Sequence, residues 1–187
     1  MAGCMASAQP DLIKRVANKA ILLSPRHIHH VADALNGSNT YHFMPKVGLP
    51  RKIGLRLNIP IADGCMYNCS YCITKKARGN LVSYPIKGIV KDVEEAIANG
   101  CKEIRLTCQD TASYGRDIGS NLAELIKEIA AIEGEYRIRV GMMHPLSAYK
   151  ILDELLEAYK DKKIYKFLHL PLQSASPKIL KAMRRGY

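Results

Sequence analysis

From Ile53 to the last residue, short β-rich runs alternate with amphipathic helical stretches, and that order leaves few folds open. Residues 53–61 (Ile-Gly-Leu-Arg-Leu-Asn-Ile-Pro-Ile) read as a first strand. Pro85 opens a helix that carries Ile86, Ile89, Val90, Val93 and Ile97 on one face and stops at Asn99-Gly100. Residues 103–107 give a second strand, and Asn121 caps a helix to about Ile132 with Glu124 in the capping-box position. A third strand follows at 137–142, a helix at 148–159 and a fourth strand at 165–170; Ser176-Pro177 begins a last helix. Such alternation predicts an α/β fold with a parallel sheet and right-handed crossovers. Four units in 135 residues is about half of an eight-stranded barrel, which needs roughly 250. The expectation is a partial (βα) barrel of about four units, cut short after Tyr187.

Upstream, the pattern is weaker. Residues 10–20 and 27–35 read as short helices, and Ile21 to Leu23 as a short buried strand. Gly37, Pro45, Gly48 and Pro50 interrupt residues 36–52 without periodicity. The expected division is residues 1–40 as a short α/β remnant, 41–52 as a linker and 53–187 as the core. With 48% hydrophobic and 24% charged residues the composition is that of a globular protein, and no run approaches the roughly 18 apolar residues of a membrane span. The N-terminus has no basic region leading into an apolar stretch, so a cytoplasmic chain with reduced thiols is expected. The net charge of +11 is uneven: residues 1–52 hold seven Lys/Arg against Asp11 and Asp33. A basic surface favours polyanions such as RNA, although a solvated face explains the charge as well.

Between the first strand and the first helix lie Cys65, Cys69 and Cys72, spaced C-x3-C-x2-C. Three thiolates can hold three corners of a cubane iron–sulfur cluster and leave the fourth iron open. Electron-transfer clusters are instead capped by four ligands. An open position marks chemistry, as it does in catalytic zinc sites. The competing reading is structural zinc, with Cys101, Cys108 or a distant histidine as the fourth ligand. Every strand in this pattern ends in unusual residues: the three-cysteine loop, Cys108-Gln-Asp-Thr111, Met142-Met-His-Pro145, and His169-Leu-Pro-Leu-Gln-Ser174. Ligands of parallel α/β folds bind at that rim. His144 and His169 are read there as packing or hydrogen-bonding groups, and His27, His29 and His30 as surface residues. Lys75, Lys76 and Arg78 belong either to a solvated turn or to contacts with a carboxylate or phosphate.

C-x3-C-x2-C with Tyr71 before the last cysteine resembles the signature of radical S-adenosylmethionine (SAM) enzymes. Asp63-Gly-Cys, Arg78-Gly79, Ser83-Tyr-Pro85, Leu106-Thr-Cys-Gln-Asp-Thr111, Tyr114-Gly-Arg-Asp117 and His169-Leu-Pro-Leu-Gln-Ser-Ala-Ser176 resemble the methylthiotransferase family. Gln109-Asp-Thr111, Tyr114 through Gly119 and Val140-Gly-Met-Met-His-Pro145 resemble most the branch acting on N6-threonylcarbamoyladenosine in tRNA. The resemblance implies a radical SAM barrel in which Cys65, Cys69 and Cys72 ligate a [4Fe–4S] cluster whose open iron takes SAM. One electron, from a donor such as flavodoxin or ferredoxin, then generates a 5′-deoxyadenosyl radical that removes hydrogen from adenine C2. Tyr71 would lie against the SAM adenine, and Gln109, Asp110 and Gln173 would line the SAM or substrate pocket. A second [4Fe–4S] cluster would supply sulfur, with Cys4 one of its three ligands and the other two outside this chain. Three alternatives remain. They are a methylthiotransferase for isopentenyladenosine tRNA or a ribosomal-protein aspartate, a non-catalytic metal-stabilised RNA-binding module, and an inactive fragment.

Overall fold

The computed structural model describes residues 1–187. The N-terminal part holds α1 (Cys4–Ala8), α2 (Pro10–Val16), a 3-10 turn (Ile28–His30) and α3 (Val31–Leu35). There follow β1 (Arg56–Pro60), β2 (Ala62–Asp63), α4 (Ile73–Arg78), β3 (Val82–Ser83), α5 (Ile86–Ala98) and β4 (Glu103–Thr107). After a 3-10 turn at Thr111–Ser113 come α6 (Leu122–Ala131), β5 (Arg137–Val140), α7 (Pro145–Tyr149), α8 (Leu152–Ala158) and α9 (Pro177–Ala182).

The main sheet is parallel, in the order β1-β4-β5. Its register aligns Leu57 with Ile104 and Ile138, and Ile59 with Leu106 and Val140. These six side chains are buried and share the core with Ile89 and Val93 of α5 and Leu125, Ile126 and Ile129 of α6. The alternate positions carry Arg56, Glu103, Arg105 and Arg139, with Glu103 paired to Arg105 at 2.5 Å and Arg56 at 3.3 Å. One face of the sheet is therefore apolar and covered by helices, and the other is polar. As predicted, the Asn121 side chain caps α6 by accepting the Glu124 amide at 3.0 Å.

Several expectations are corrected. The fourth strand does not form: one parallel bridge, Ile138 to Ile164, lies just before residues 165–170, the Tyr165 amide donates to Ile138 O at 3.0 Å, and the Met143 amide reaches His169 O at 2.9 Å. Pro171 lies immediately downstream, and it has no amide proton for a ladder. Ile21 to Leu23 likewise reduces to a single bridge between Leu23 and Ala2. The expected helix over 148–159 is two helices, α7 and α8, separated at Lys150 and Ile151. Residues 27–35 begin as a 3-10 turn, and the helix expected over 10–20 ends at Val16. The short α1, α4 and the β2–β3 pair have no counterpart in the sequence pattern, because two residues per strand carry no periodicity.

The N-terminal part is fastened to the core by buried acids. Asp63 is 2% exposed and accepts from Lys46 at 2.6 Å, Arg78 at 2.7 Å and the Tyr84 hydroxyl at 2.8 Å. Burial alone would raise the Asp63 carboxyl, but these donors and charges outweigh it and hold it below the ordinary carboxylate range. Asp92 takes Arg51 at 2.9 Å and the Gly48 amide at 2.7 Å. Arg26 donates to the carbonyls of Asn80 and, at 3.4 Å, Asp63. Three of the seven cations in residues 1–52 thus face inward, which lowers the charge available to a polyanion. Removing a buried carboxylate strands its partners at a cost of a few kcal/mol. Asp63→Ala is expected to lower the urea-unfolding free energy by about 3 kcal/mol, the lower end because Lys46 and Arg78 are part-exposed.

Candidate active site

The loop that carries the cysteines leaves β2 through Gly64, whose φ of +80° and whose distance of 2.0 Å from a notional Cβ to Asn80 O admit only glycine. The Gly64 amide donates to Gln109 Oε1 at 2.7 Å, and the Cys65 amide to Gly79 O at 3.2 Å. Lys75 donates to Cys65 O and, at 2.8 Å, to Asn80 Oδ1. On the far side, Ser70 donates through its hydroxyl to Ala182 O at 2.9 Å and through its amide to Met183 O at 3.1 Å, against the end of α9. The loop is held at both ends by main-chain and side-chain bonds.

Its three thiols, half-buried, open on one cavity of about 200 Å³ at the C-terminal ends of the parallel strands. The same cavity is lined by Tyr71, Gln109, Asp110 and Gln173, so every cofactor-contacting residue expected from the sequence meets there. Met143, His144 and Lys75, placed at the rim or beside the cysteine loop by the sequence, line it as well, and Tyr67 and Arg185, which the sequence did not single out, complete much of the wall. Nothing in the spacing of Tyr67 or Arg185 marks them, since long-range folding brings them in. Gln173 sits at φ +71°, a strained backbone for a non-glycine residue that is found most often where a ligand site demands it. Cys4 does not line the cavity. It is exposed at the start of α1, beside Arg78 of α4. No three His, Cys, Asp or Glu side chains come within reach of a single ion. Three separate soft donors around an open cavity match a larger multi-metal body better than one zinc.

Two of the expected residues also brace the wall. Gln109 turns its carbonyl oxygen to the Gly64 amide. Asp110, 2% exposed, accepts the His144 amide at 2.8 Å on Oδ1, and the hydroxyls of Ser147 (2.7 Å) and Ser113 on Oδ2. Ser147 Oγ lies 2.9 Å from the Tyr67 hydroxyl, which links the carboxylate to the loop between Cys65 and Cys69. The Tyr67 ring stacks on the His144 imidazole at 3.8 Å between centroids and 12° between planes. Arg185 reaches Cys69 Sγ at 3.6 Å and the Tyr71 hydroxyl at 3.4 Å. Lys75 and Arg78, ambiguous in the sequence, are both occupied: one in the loop carbonyls, the other in Asp63.

Burial pushes the Cys65 thiol above its ordinary value, the Tyr67 amide working against it, so a metal must displace a proton to bind there. Burial raises Cys108 further still, which leaves it an inert thiol behind the rim. Burial, reinforced by the Arg185 charge and opposed by Asp110, takes His144 down to about 4, and the imidazole is neutral near pH 7.

A parallel α/β rim with a three-thiol loop and an open cavity defines a class of cluster-binding enzymes. A family model described as the radical SAM superfamily matches residues 59–187, and the chain belongs to that superfamily. Over its full length it is 42% identical to a protein of Methanothermobacter thermautotrophicus described as a probable threonylcarbamoyladenosine tRNA methylthiotransferase, of which it covers 46%. A Pyrococcus abyssi protein of the same description is 47% identical over 99% of the chain and 46% of its own length. The threonylcarbamoyladenosine tRNA methylthiotransferase of Homo sapiens is 36% identical over the whole chain and 35% of that protein. The chain thus spans less than half the length of these relatives. Among solved structures, the radical S-adenosylmethionine methyltransferase TsrM of Kitasatospora setae superposes with a TM-score of 0.57 at 19% identity, over 76% of this chain and 28% of that one; this likeness concerns the fold.

Two measurements test the wall. Asp110→Ala leaves Ser113, Ser147 and the His144 amide without their acceptor and is expected to cost about 3 kcal/mol in urea unfolding. His144 has a folded pKa below its unfolded value of 6.5, so folding favours the neutral ring. Stability is expected to be intact above about pH 6.5 and to fall as the pH drops toward 4, and His144→Asn should flatten that limb of the pH profile.

Proposed function

We propose that this chain is the radical SAM portion of a tRNA methylthiotransferase that modifies C2 of N6-threonylcarbamoyladenosine beside the anticodon. The observation that carries the reading is the convergence of Cys65, Cys69 and Cys72 with Tyr71, Gln109, Asp110 and Gln173 on one cavity. Whole-chain identity to relatives described as threonylcarbamoyladenosine tRNA methylthiotransferases supports the substrate. The three thiols would hold a [4Fe–4S] cluster with one open iron, and SAM would occupy that position. When bound, the pair supplies a carbon radical able to remove hydrogen from an unactivated C–H bond. Lys75 and the Gly64–Gln109 bond keep the loop carbonyls and amides fixed, so that the three thiols need little rearrangement to take up iron. Arg185 places a positive charge at Cys69 and offers it to the carboxylate of SAM. Tyr71 supplies an aromatic face to the SAM adenine, and the strained Gln173 faces the same space.

Cys4 is assigned to a second [4Fe–4S] cluster of the intact protein, close to the α1–α4 contact. The electron donor is assigned to the flavodoxin or ferredoxin class, and the compartment to the cytoplasm. Residues 1–40 are assigned as the end of an N-terminal domain, 41–52 as its linker and 53–187 as the radical SAM core. No helix is long and apolar enough to cross a membrane. Anaerobic reconstitution should load about four irons at the three-cysteine loop. Cys69→Ala should lose that iron and the SAM-dependent change of the reduced cluster's EPR signal; a variant that kept both would sink the assignment. Nucleoside mass spectrometry of tRNA from cells lacking the intact gene should show N6-threonylcarbamoyladenosine without its 2-methylthio group.

A further inference from the structure

His144 has a tautomer that the hydrogen bonds decide. Its Nδ1 accepts the Leu146 amide at 3.3 Å, as the side-chain cap of α7, and so carries no proton. In a neutral ring the proton then sits on Nε2. That N–H is buried and has no partner in the protein. The residue is 5% exposed, wedged between the Tyr67 ring at 3.8 Å and the Tyr187 ring, edge-on at 5.4 Å, and it lines the cavity of the three thiols. A buried donor without an acceptor costs about 1–3 kcal/mol. Asp110 could have answered it but spends its oxygens on the His144 amide, Ser113 and Ser147. The same carboxylate, through Ser147 and Tyr67, holds the ring that stacks on the imidazole. Much of the local structure thus fixes the orientation of one unused N–H.

We propose that His144 is a ligand-contacting residue whose Nε2–H donates to a ring nitrogen of an adenine bound in this cavity. The proposal rests on the function put forward above, in which both ligands, SAM and the target nucleoside, carry an adenine. A neutral donor suits a neutral acceptor. No charged side chain bonds Nε2: Asp110 takes the His144 amide, Arg185 is bonded to Cys69, Tyr71, Tyr187 and the Pro171 carbonyl, and Lys75 to the loop carbonyl of Cys65. The lining also offers the Tyr67 ring, stacked on the imidazole, and the apolar side chains of Met142 and Met143, surfaces that suit a heterocycle.

Two substitutions separate the hydrogen bond from packing. Asparagine keeps an acceptor near Nδ1 and preserves the α7 cap, but its side chain is too short to replace Nε2–H. Glutamine places an amide N–H near Nε2. Wild type, His144→Asn and His144→Gln would be reconstituted anaerobically, assayed for iron, and titrated with SAM and, separately, with an anticodon stem-loop RNA bearing N6-threonylcarbamoyladenosine. His144→Asn is expected to weaken one of the two ligands about tenfold with iron content unchanged, and His144→Gln to recover most of the loss. A loss confined to SAM assigns the contact to the cofactor's adenine; a loss confined to RNA assigns it to the target base. Dissociation constants within about twofold of wild type for both ligands, or a glutamine variant as weak as the asparagine one, would overturn the proposal and leave the cluster assignment standing. A wild-type chain that took up no iron and bound neither ligand would overturn both.

Discussion

Asp63 is the carboxylate on which the rest of this molecule turns. It lies two residues before Cys65, almost without access to water, and four elements meet on it. Lys46 comes from the N-terminal part, Arg78 from the end of α4, and Tyr84 from the residue after β3; its own main chain continues into the cysteine loop. A buried charge must be paired and hydrogen-bonded or it is not tolerated. The requirement works in reverse here: once the carboxylate is buried, the chain segments that carry its partners have to be in place. Lys46 fixes the segment leading out of the N-terminal part, Arg78 fixes the turn at Gly79, and Gly79 O in turn receives the Cys65 amide. The entry to the loop is thereby set by interactions behind it, away from the cavity it serves.

A second buried carboxylate does the same work on the other wall. Asp110 follows β4 and binds the Ser113 hydroxyl, the hydroxyl of Ser147 on α7 and the main chain at His144. Both acids are satisfied inside the protein, and their energetic role is to position. The difference lies in what they leave over. Around Asp63 the cations are consumed. Around Asp110 one buried donor, the His144 Nε2–H, remains unsatisfied, on a residue that lines the cavity. In a well-packed protein buried polar groups find partners, and an exception beside a cavity points outward to what the cavity binds.

How far this was legible in the sequence follows the same division. The helices α5 and α6 and the strands β1, β4 and β5 announced themselves through periodicity and caps, because their burial is local and repetitive. The cysteine loop was legible because its chemistry sits within eight residues. Gln109, Asp110 and Gln173 could be placed at strand ends and do reach the cavity, yet the bracing tasks of Gln109 and Asp110 could not be read, since each depends on an amide or hydroxyl more than 30 residues away. The same holds for the partners of His144, which the sequence placed on the rim as a packing or hydrogen-bonding group, and for Tyr67 and Arg185, which it did not single out. The fourth strand failed for a different reason. Residues 165–170 have strand composition, but the single bridge to β5 falls at Ile164, just before them, and composition does not encode a neighbour.

Charge shows where such a sequence count misleads. The excess of cations in residues 1–52 invites the picture of a polyanion-binding face. Lys46, Arg51 and Arg26 instead turn toward Asp63, Asp92 and the carbonyl of Asn80, and they hold the N-terminal part on the core. On the polar face of the sheet Arg56 and Arg105 share Glu103, while Arg139 lies over the Phe167 ring at 4.5 Å. Within the cavity Lys75 is drawn into the loop carbonyls. Arg185 has other partners, the Cys69 thiol, the Tyr71 and Tyr187 hydroxyls and the Pro171 carbonyl, and none of them is a carboxylate. A guanidinium beside soft sulfur retains charge to offer an anionic ligand, and the neutral imidazole lining the same cavity retains a proton to offer a neutral one. The uncompensated charge and the unpaired N–H are of different kinds, and a zwitterionic nucleoside has one acceptor suited to each.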